Sequence, residues 1–170
     1  TYLAERVGKK DAFIIATLIS LVGYSLKWWG FNPSNPFLMF IPIPLMSFGI
    51  GGLFTLMMSM TADVCDLDEL NHGTRREGTF GAVYWLMVKL GTSFALVTSG
   101  AVLNLVGFDQ KATVQSVESL TNLRIADILI PIITGLIAIL IMWKYDMTEA
   151  RAHEIRQALV TRRGEVLRED

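Results

Sequence analysis

In this 170-residue sequence, the residue whose type and position most clearly suggest a chemical role is one lysine inside a long apolar stretch. Lys89 lies ten residues after Thr79, where that stretch begins, which is roughly 15 Å along a helix. A lysine at that depth of a bilayer costs about 3 kcal/mol to insert, so it is expected to face an interior or a water-filled path. Trp85, Thr92 and Ser93 lie one helical turn away. These four side chains predict the lining of a solute or cation path, and a lysine that snorkels to the membrane surface is the alternative.

An acidic segment that follows an earlier apolar stretch predicts ion pairs. Asp63 and Asp66 are three residues apart, so they share a face if a helix continues through them. We expect them to pair with basic residues, as a latch that closes the cytoplasmic side and breaks when that side opens. A solvated charged loop is the alternative, because exposed ion pairs contribute little stability. The predicted latch residues are Asp63, Asp66, Arg75, Arg76, Arg6, Lys9 and Lys10.

The sequence offers little for metal, redox or enzymatic chemistry. Cys65 is the one cysteine, which excludes an internal disulfide. His72 and His153 lie far apart in the sequence, so a zinc site is not expected. Lys89 is the single ionisable residue at the predicted membrane depth, and an enzyme active site would need a second group there. We therefore predict neither an enzyme nor a cofactor, and a net charge of −1 gives no reason to expect nucleic-acid binding.

The composition that surrounds these residues is that of a membrane protein. Hydrophobic residues make up 52% of the sequence and charged residues 18%, whereas soluble domains average about 25% charged. Three long runs, at 28–62, 90–108 and 128–143, contain no charged residue. A bilayer-spanning helix needs about 20 apolar residues, and a helix satisfies its own backbone groups. The predicted fold is an all-α membrane protein with four transmembrane helices, at 12–31, 37–62, 79–106 and 125–145.

The distribution of basic residues predicts the orientation of these helices. Eleven lysines and arginines lie in residues 1–11, 63–78 and 144–170, against three in 27–36 and 107–124. The basic side is expected to face the cytoplasm, so both termini would be cytoplasmic in a multi-pass protein of the cell (inner) membrane. The predicted connections are a basic cytoplasmic loop at 1–11, an acidic and basic cytoplasmic loop at 63–78, an outer loop at 107–124 and a cytoplasmic tail at 146–170. The tail carries a predicted C-terminal helix, which could lie on the membrane, against a loop or free in solvent.

The second predicted span is rich in residues that break helices or allow close packing. These residues are Pro42, Pro44, Gly49, Gly51 and Gly52. Interrupted helices often lie at the binding sites of secondary transporters. Small residues also let neighbouring helices approach closely. The sequence leaves both interpretations open.

Five segments of the sequence resemble a known transporter family. Leu3–Lys10 is similar to the basic loop of the major facilitator superfamily. Ala62–Asp66, with the sequence ADVCD, resembles the A-D-x-x-D that ends span 10 of the glycoside–pentoside–hexuronide:cation symporters. Gly73–Gly78 and Val88–Ser93 resemble the loop and span 11 that follow in that family. The last segment, Tyr145–Glu149 together with Glu154–Arg156, resembles its C-terminal tail. The resemblance covers nearly the whole chain.

This resemblance implies that the four helices are spans 9–12 of a twelve-span major facilitator bundle. It implies symport of a sugar or glycoside-like solute with Na⁺ or H⁺ by alternating access, with Lys89 near the solute and cation sites and Phe54 as an aromatic that stacks on the sugar. The family's paired cation-binding acids would precede residue 1, so most of the coupling-ion site would lie outside this chain. We therefore expect a fragment whose partners are the lipid bilayer, a sugar-like solute and the remaining N-terminal spans. A non-transporting four-helix membrane module, or a truncated inactive relic, is the alternative.

Overall fold

The structure, a computed structural model, describes residues 2–32, 34–109 and 111–169. Helices dominate these residues, and none of them lies in a strand. The predicted all-α fold class is therefore confirmed. In chain order the helices are α1 (Tyr2–Val7), α2 (Lys9–Gly30), a short 3-10 helix (Pro36–Phe40), α3 (Pro42–His72), α4 (Glu77–Leu105), α5 (Val117–Trp143) and α6 (Glu149–Glu169).

Four of these helices are long and apolar enough to cross a membrane. They are α2, α3 together with the 3-10 helix before it, α4 and α5. The shortest, α2, has 22 residues, and at 1.5 Å per residue it is about 33 Å long. The four predicted transmembrane helices and the additional C-terminal helix are both present.

The helix α3 continues ten residues beyond the predicted end of its span, because it runs through residues 63–72. The loop predicted over 63–78 is confined to the four residues between α3 and α4. No glycine or proline interrupts the acidic segment before Gly73, which adopts a left-handed φ of 76° and donates its N–H to Glu69 at 2.8 Å. The charged residues 63–72 thus belong to a helix that projects beyond the apolar layer, rather than to a loop.

The helix α5 likewise begins earlier than predicted. It starts at Val117, within the outer loop that was predicted over 107–124. Ser116 caps it, since its hydroxyl accepts a hydrogen bond from the Ser119 N–H at 3.0 Å. Such a cap satisfies one of the backbone donors that a helix leaves free at its start. Thr148 acts in the same way on α6, where its hydroxyl accepts from the N–H of Arg151 at 3.3 Å.

The helix α2 lies at the centre of the packing. It contacts α3 and α5 along their lengths, and α6 packs against α3. In contrast, α4 contacts α3 and α5 but buries none of its described residues. The faces of α4 are therefore open in the part of the chain that the structure describes. The core where α2, α3 and α5 meet contains Ala12, Phe13, Leu56, Met60 and Met142.

Close approach of α2 and α3 explains one glycine of the second span. A Cβ atom built on Gly49 would clash with the Cβ of Ser20 and would lie 3.0 Å from the carbonyl oxygen of Ala16. A Cβ built on Gly51 would have no neighbour within 4 Å. Pro42 occupies the first turn of α3, where proline is tolerated because its missing N–H would have no helical partner. Close packing, rather than an interrupted helix, is what the structure shows at Gly49.

Gly49→Ala is expected to destabilise the chain, and Gly51→Ala is not. Overpacking a well-packed contact costs about 1–3 kcal/mol, whereas alanine in an open helical position is up to about 1 kcal/mol better than glycine. The free energy of unfolding of the full chain in mixed micelles, followed by circular dichroism, measures both variants. Adding Ser20→Gly to Gly49→Ala should recover part of the loss. Equal stability of the two alanine variants would show that the helices do not meet at Gly49.

Candidate functional site

A cluster of ion-paired side chains lies where α2 begins and α3 ends. We call this end of the bundle the charged end. The Nζ of Lys9 donates to the Oδ2 of Asp63 at 2.5 Å. The other oxygen of Asp63, Oδ1, is 3.6 Å from the Nη2 of Arg156 on α6. The side chains of Lys9 and Asp63 are only 16% and 6% exposed, so water screens their attraction weakly. One carboxylate therefore links three helices.

The short turn between α3 and α4 is held by Arg75. Its guanidinium contacts three carboxylates, those of Asp66 at 2.8 Å, Glu69 at 2.9 Å and Glu77 at 2.9 Å. The hydrogen bond that Arg75 donates to Glu77, followed by those that it donates to Glu69 and Asp66, raises the pKa of Arg75 above its usual range. Arg75 is partly exposed, so the stability that these pairs contribute is reduced by solvent screening. The turn nevertheless fixes the first residue of α4 to the last turns of α3.

Arg76 forms a second pair in this turn. Its Nη2 lies 2.5 Å from the Oδ1 of Asp68, and its Nε donates to the Oδ2 at 2.8 Å. These two hydrogen bonds, which Arg76 donates to the carboxylate of Asp68, raise the pKa of Arg76. The Nδ1 of His72 lies 3.1 Å from the same carboxylate. Asp68 was absent from the predicted latch, although it lies two residues after Asp66 in the same acidic segment.

Two further predicted latch residues, Lys10 and Arg6, lie at this end. Lys10 donates to the carbonyl oxygens of Trp143 at 2.8 Å and Tyr145 at 3.0 Å. The first of these carbonyls belongs to the last residue of α5 and the second lies two residues beyond it, at the helix end where a cation is favoured by the helix dipole. Arg6 lies in the last turn of α1.

Tyr145 adds a buried hydroxyl to the charged end. Burial, together with the negative charges of Asp63 and Glu149, raises the pKa of this tyrosine to about 12. Its hydroxyl therefore keeps its proton at neutral pH. Among the residues that the structure describes, this buried oxygen has no hydrogen-bond partner. The site thus holds a donor near Asp63 that the packed arrangement leaves unused.

The four predicted path-lining residues of α4 lie together on open positions. Lys89 and Ser93 are exposed, and Trp85 is half exposed, with Tyr84 packed edge-on against its ring at 5.3 Å between centroids. Thr92 is also exposed, and its hydroxyl donates to the carbonyl oxygen of Val88 at 2.9 Å. Within the described part of the chain, Lys89 has no ion-pair or hydrogen-bond partner. The polar face is thus formed, but nothing described here covers it.

Phe54 lies in a different place from Lys89. It is about half exposed and lines a groove of about 330 Å³ between α2, α3 and α5, beside the hydroxyl-bearing residues Thr17, Ser20 and Tyr24. Lys89 does not line this groove. The structure therefore does not bring these two predicted residues into one cavity.

A larger groove of about 680 Å³ lies between α2, α4 and α5. Its α4 wall includes Gly91, Ala95 and Thr98, which recur at helical spacing. Lys89 is two residues, or about 200°, around the helix from Gly91, so it points away from this groove. Tyr24 lines both grooves. Both are mainly apolar, and no group of three or more His, Cys, Asp or Glu that could hold a metal occurs among the residues described.

A second charged group, which sequence reasoning missed, lies at the opposite end of the bundle. Lys27 of α2 forms an ion pair with Asp127 of α5, and its Nζ lies 4.9 Å from the ring centroid of Phe31. Arg124 lies 4.8 Å over the ring of Trp28 and donates to the carbonyl oxygens of Trp28 and Phe31. These contacts fasten the end of α2 to α5. The signal available in the sequence was the opposite charge of Lys27 and Asp127 at matching ends of two apolar stretches.

Comparison with known proteins gives consistent matches. Residues 1–149 match the family described as MFS/sugar transport protein. The chain is 29% identical over 153 residues to the glucuronide carrier protein homolog of Escherichia coli, which covers 90% of this chain and 33% of that protein. It is 26% identical to the isoprimeverose transporter of Lactiplantibacillus pentosus, covering 88% of this chain and 32% of that protein.

A third relative is an uncharacterized symporter of Synechocystis sp., which is 29% identical over 165 residues, covering 94% of this chain and 30% of that protein. The chain thus spans about a third of the length of the relatives it matches. No solved structure matches the chain significantly.

Proposed function

We propose that this chain, which belongs to the MFS/sugar transport protein family, is part of a secondary active transporter that moves a sugar or glycoside-like solute with Na⁺ or H⁺ by alternating access. The family match over residues 1–149 is the observation that carries the proposal. The four long apolar helices agree with a multi-pass membrane protein. We place it in the cell (inner) membrane with both termini in the cytoplasm, on the basis of the excess of basic residues at the charged end.

We propose that Lys89, Trp85, Thr92 and Ser93 line the solute or cation path. Sugars are bound by polar groups that hydrogen-bond their hydroxyls and by aromatic rings that stack on their apolar faces, and this surface offers both kinds of group. Its exposure on α4 supports a role that needs a second wall. We propose that the other wall comes from N-terminal spans of a longer protein, since the relatives are about three times as long as this chain. Phe54 would then act on the solute from the neighbouring surface of α3.

We propose that the charged end is the cytoplasmic latch of the transport cycle. Alternating access requires contacts that hold one side closed and that separate when that side opens. The pair Lys9–Asp63 supplies such a contact between α2 and α3, and the pair Asp66–Arg75 supplies one between α3 and the turn that leads to α4. Arg76 contributes through Asp68, and Arg6 and Lys10 stabilise the same end.

The alternative is a non-transporting four-helix membrane module or an inactive relic. The observation that favours it is the packing of the chain, since the described core cluster is drawn from α2, α3 and α5 and includes no residue of α4. A module of this kind would insert in a membrane and remain folded without moving a solute.

Reconstitution in liposomes tests the two functions against each other. The chain is inserted alone or together with a complementary N-terminal piece of the Escherichia coli glucuronide carrier homolog, and insertion of both pieces is checked by protease protection. We expect uptake of a labelled glucuronide, driven by an imposed Na⁺ or H⁺ gradient, in the paired sample only. Background uptake in both samples, with both pieces inserted, would favour the non-transporting module.

A further inference from the structure

We propose that α6 is a strap that docks reversibly on the charged end and is held there by Arg156, which shares the carboxylate of Asp63 with Lys9. The inference deepens the proposed latch and rests on it for its role in transport. The docking itself concerns only contacts among α2, α3 and α6, so it is testable without a solute. It adds a residue to the latch that the sequence pattern of the acidic segment did not indicate.

The first observation is the narrow apolar stripe by which α6 packs. Ala152, Ile155 and Leu159 are buried, and they recur at three- and four-residue spacing, so they lie along one edge of the helix. This edge contacts α3. All other side chains of α6 that the structure describes are exposed. A helix attached along one narrow edge is held by few apolar contacts, which suits docking that can be reversed.

The second observation is the position of Arg156 on that edge. It lies one turn after Ala152, to whose carbonyl its Nε donates at 3.2 Å. Its Nη2 reaches the Oδ1 of Asp63 at 3.6 Å and the Oε1 of Glu149 at 3.2 Å. Asp63 therefore holds Lys9 with one oxygen and Arg156 with the other. Because the carboxylate is buried, loss of either cation leaves it poorly compensated, and this couples the docking of α6 to the pair between α2 and α3.

The third observation is a contact at the far end of the same edge. The Nη1 of Arg162 donates to the carbonyl oxygen of Leu70 at 3.4 Å. This carbonyl is among the last four of α3, which have no partner within their own helix. The Nη2 of Arg162 would lie 2.9 Å from a Cβ built on Gly73, so the absence of a side chain there makes room for the arginine. Two arginines of α6 thus contact the final turns of α3.

Thiol labelling of the full chain tests the strap, in a Cys65→Ser background that removes the one native cysteine. Leu159→Cys reports on the buried edge, and Val160→Cys is its matched exposed neighbour. We expect maleimide to react with the Leu159→Cys protein at least about tenfold more slowly than with the Val160→Cys protein, because reaction requires undocking. Equal rates, with helix content unchanged by circular dichroism, would overturn the docking of α6.

The role of Arg156 is tested by a second pair of substitutions in the Leu159→Cys protein. Arg156→Gln should accelerate labelling by about two- to fivefold, as expected from loss of a partly exposed ion pair. Arg151→Gln, at an exposed position of the same helix, should leave the rate unchanged. The same rate for both glutamine variants would overturn the assignment of Arg156. These measurements use no solute or gradient, so a failed uptake experiment would leave their outcome intact.

Discussion

Replacing Lys89 with leucine is expected to reduce gradient-driven uptake by the assembled transporter by about 10- to 100-fold. A hydrogen bond or ion contact from a charged group is worth roughly 1.5–3 kcal/mol, and each 1.4 kcal/mol changes binding about tenfold. Leucine is apolar and shorter than lysine, and it can neither donate a hydrogen bond nor carry charge. The loss should fall on solute or ion recognition, because Lys89 contributes no described contact to the packing of the chain.

The same substitution should leave membrane insertion intact or improve it. A lysine near the bilayer centre disfavours insertion by about 3 kcal/mol, and leucine favours it. Reduced uptake together with unchanged or improved insertion distinguishes a functional lysine from a structural one, since removal of a structural lysine would destabilise the protein. Insertion is measured by the fraction of chain that resists alkaline extraction, and uptake is normalised to that fraction.

Lys111→Leu provides the matched control for Lys89→Leu. Lys111 lies in the exposed connection between α4 and α5, and its described contact is made by its backbone N–H with Asp109. We expect this variant to keep parental uptake. Parental uptake by the Lys89→Leu protein as well would remove Lys89 from the proposed path and leave the polar face of α4 without an assigned role.

The four long helices could be predicted from the sequence because a bilayer imposes length and charge limits that are visible in a single chain. The limits say nothing about where a helix ends once it has left the apolar layer. The acidic residues after Ala62 were therefore interpreted as a loop, although α3 continues to His72. The charged residues after Ala62 form helix outside the apolar layer, and so do the charged residues of α6.

The presence of ion pairs at the charged end could be predicted from the sequence, but not which residues form each pair. Opposite charges in neighbouring segments indicated ion pairs, and the structure places Lys9 beside Asp63 and Arg75 beside Asp66. Which cation meets which anion depends on helix rotation and on the position of the tail. Arg156 was therefore not assigned to the latch, since it is 93 residues away from Asp63 and approaches from a helix whose location the sequence left open.

Asp63→Asn is expected to lower the free energy of unfolding of the chain by about 3 kcal/mol. Removing one member of a buried ion pair leaves the other charge uncompensated, which typically costs 3–5 kcal/mol, and the partial exposure of Lys9 favours the lower end of that range. The amide still accepts a hydrogen bond but supplies no negative charge to Lys9 or Arg156. Reversible unfolding of the full chain in mixed micelles measures the loss.

Asp66→Asn is the control for Asp63→Asn, because it makes the same chemical change one turn away. Arg75, its partner, is partly exposed and retains two other carboxylates, so a loss below about 1 kcal/mol is expected. Replacing both members of the buried pair, with Lys9→Met and Asp63→Leu, should be less damaging than Asp63→Asn, since no unpaired charge between α2 and α3 remains. Similar losses for the two asparagine variants would mean that Asp63 contributes no more to stability than Asp66. A larger loss at Asp63 would mean that the energy holding this end together is concentrated in one carboxylate, which is what a latch that opens in a single step requires.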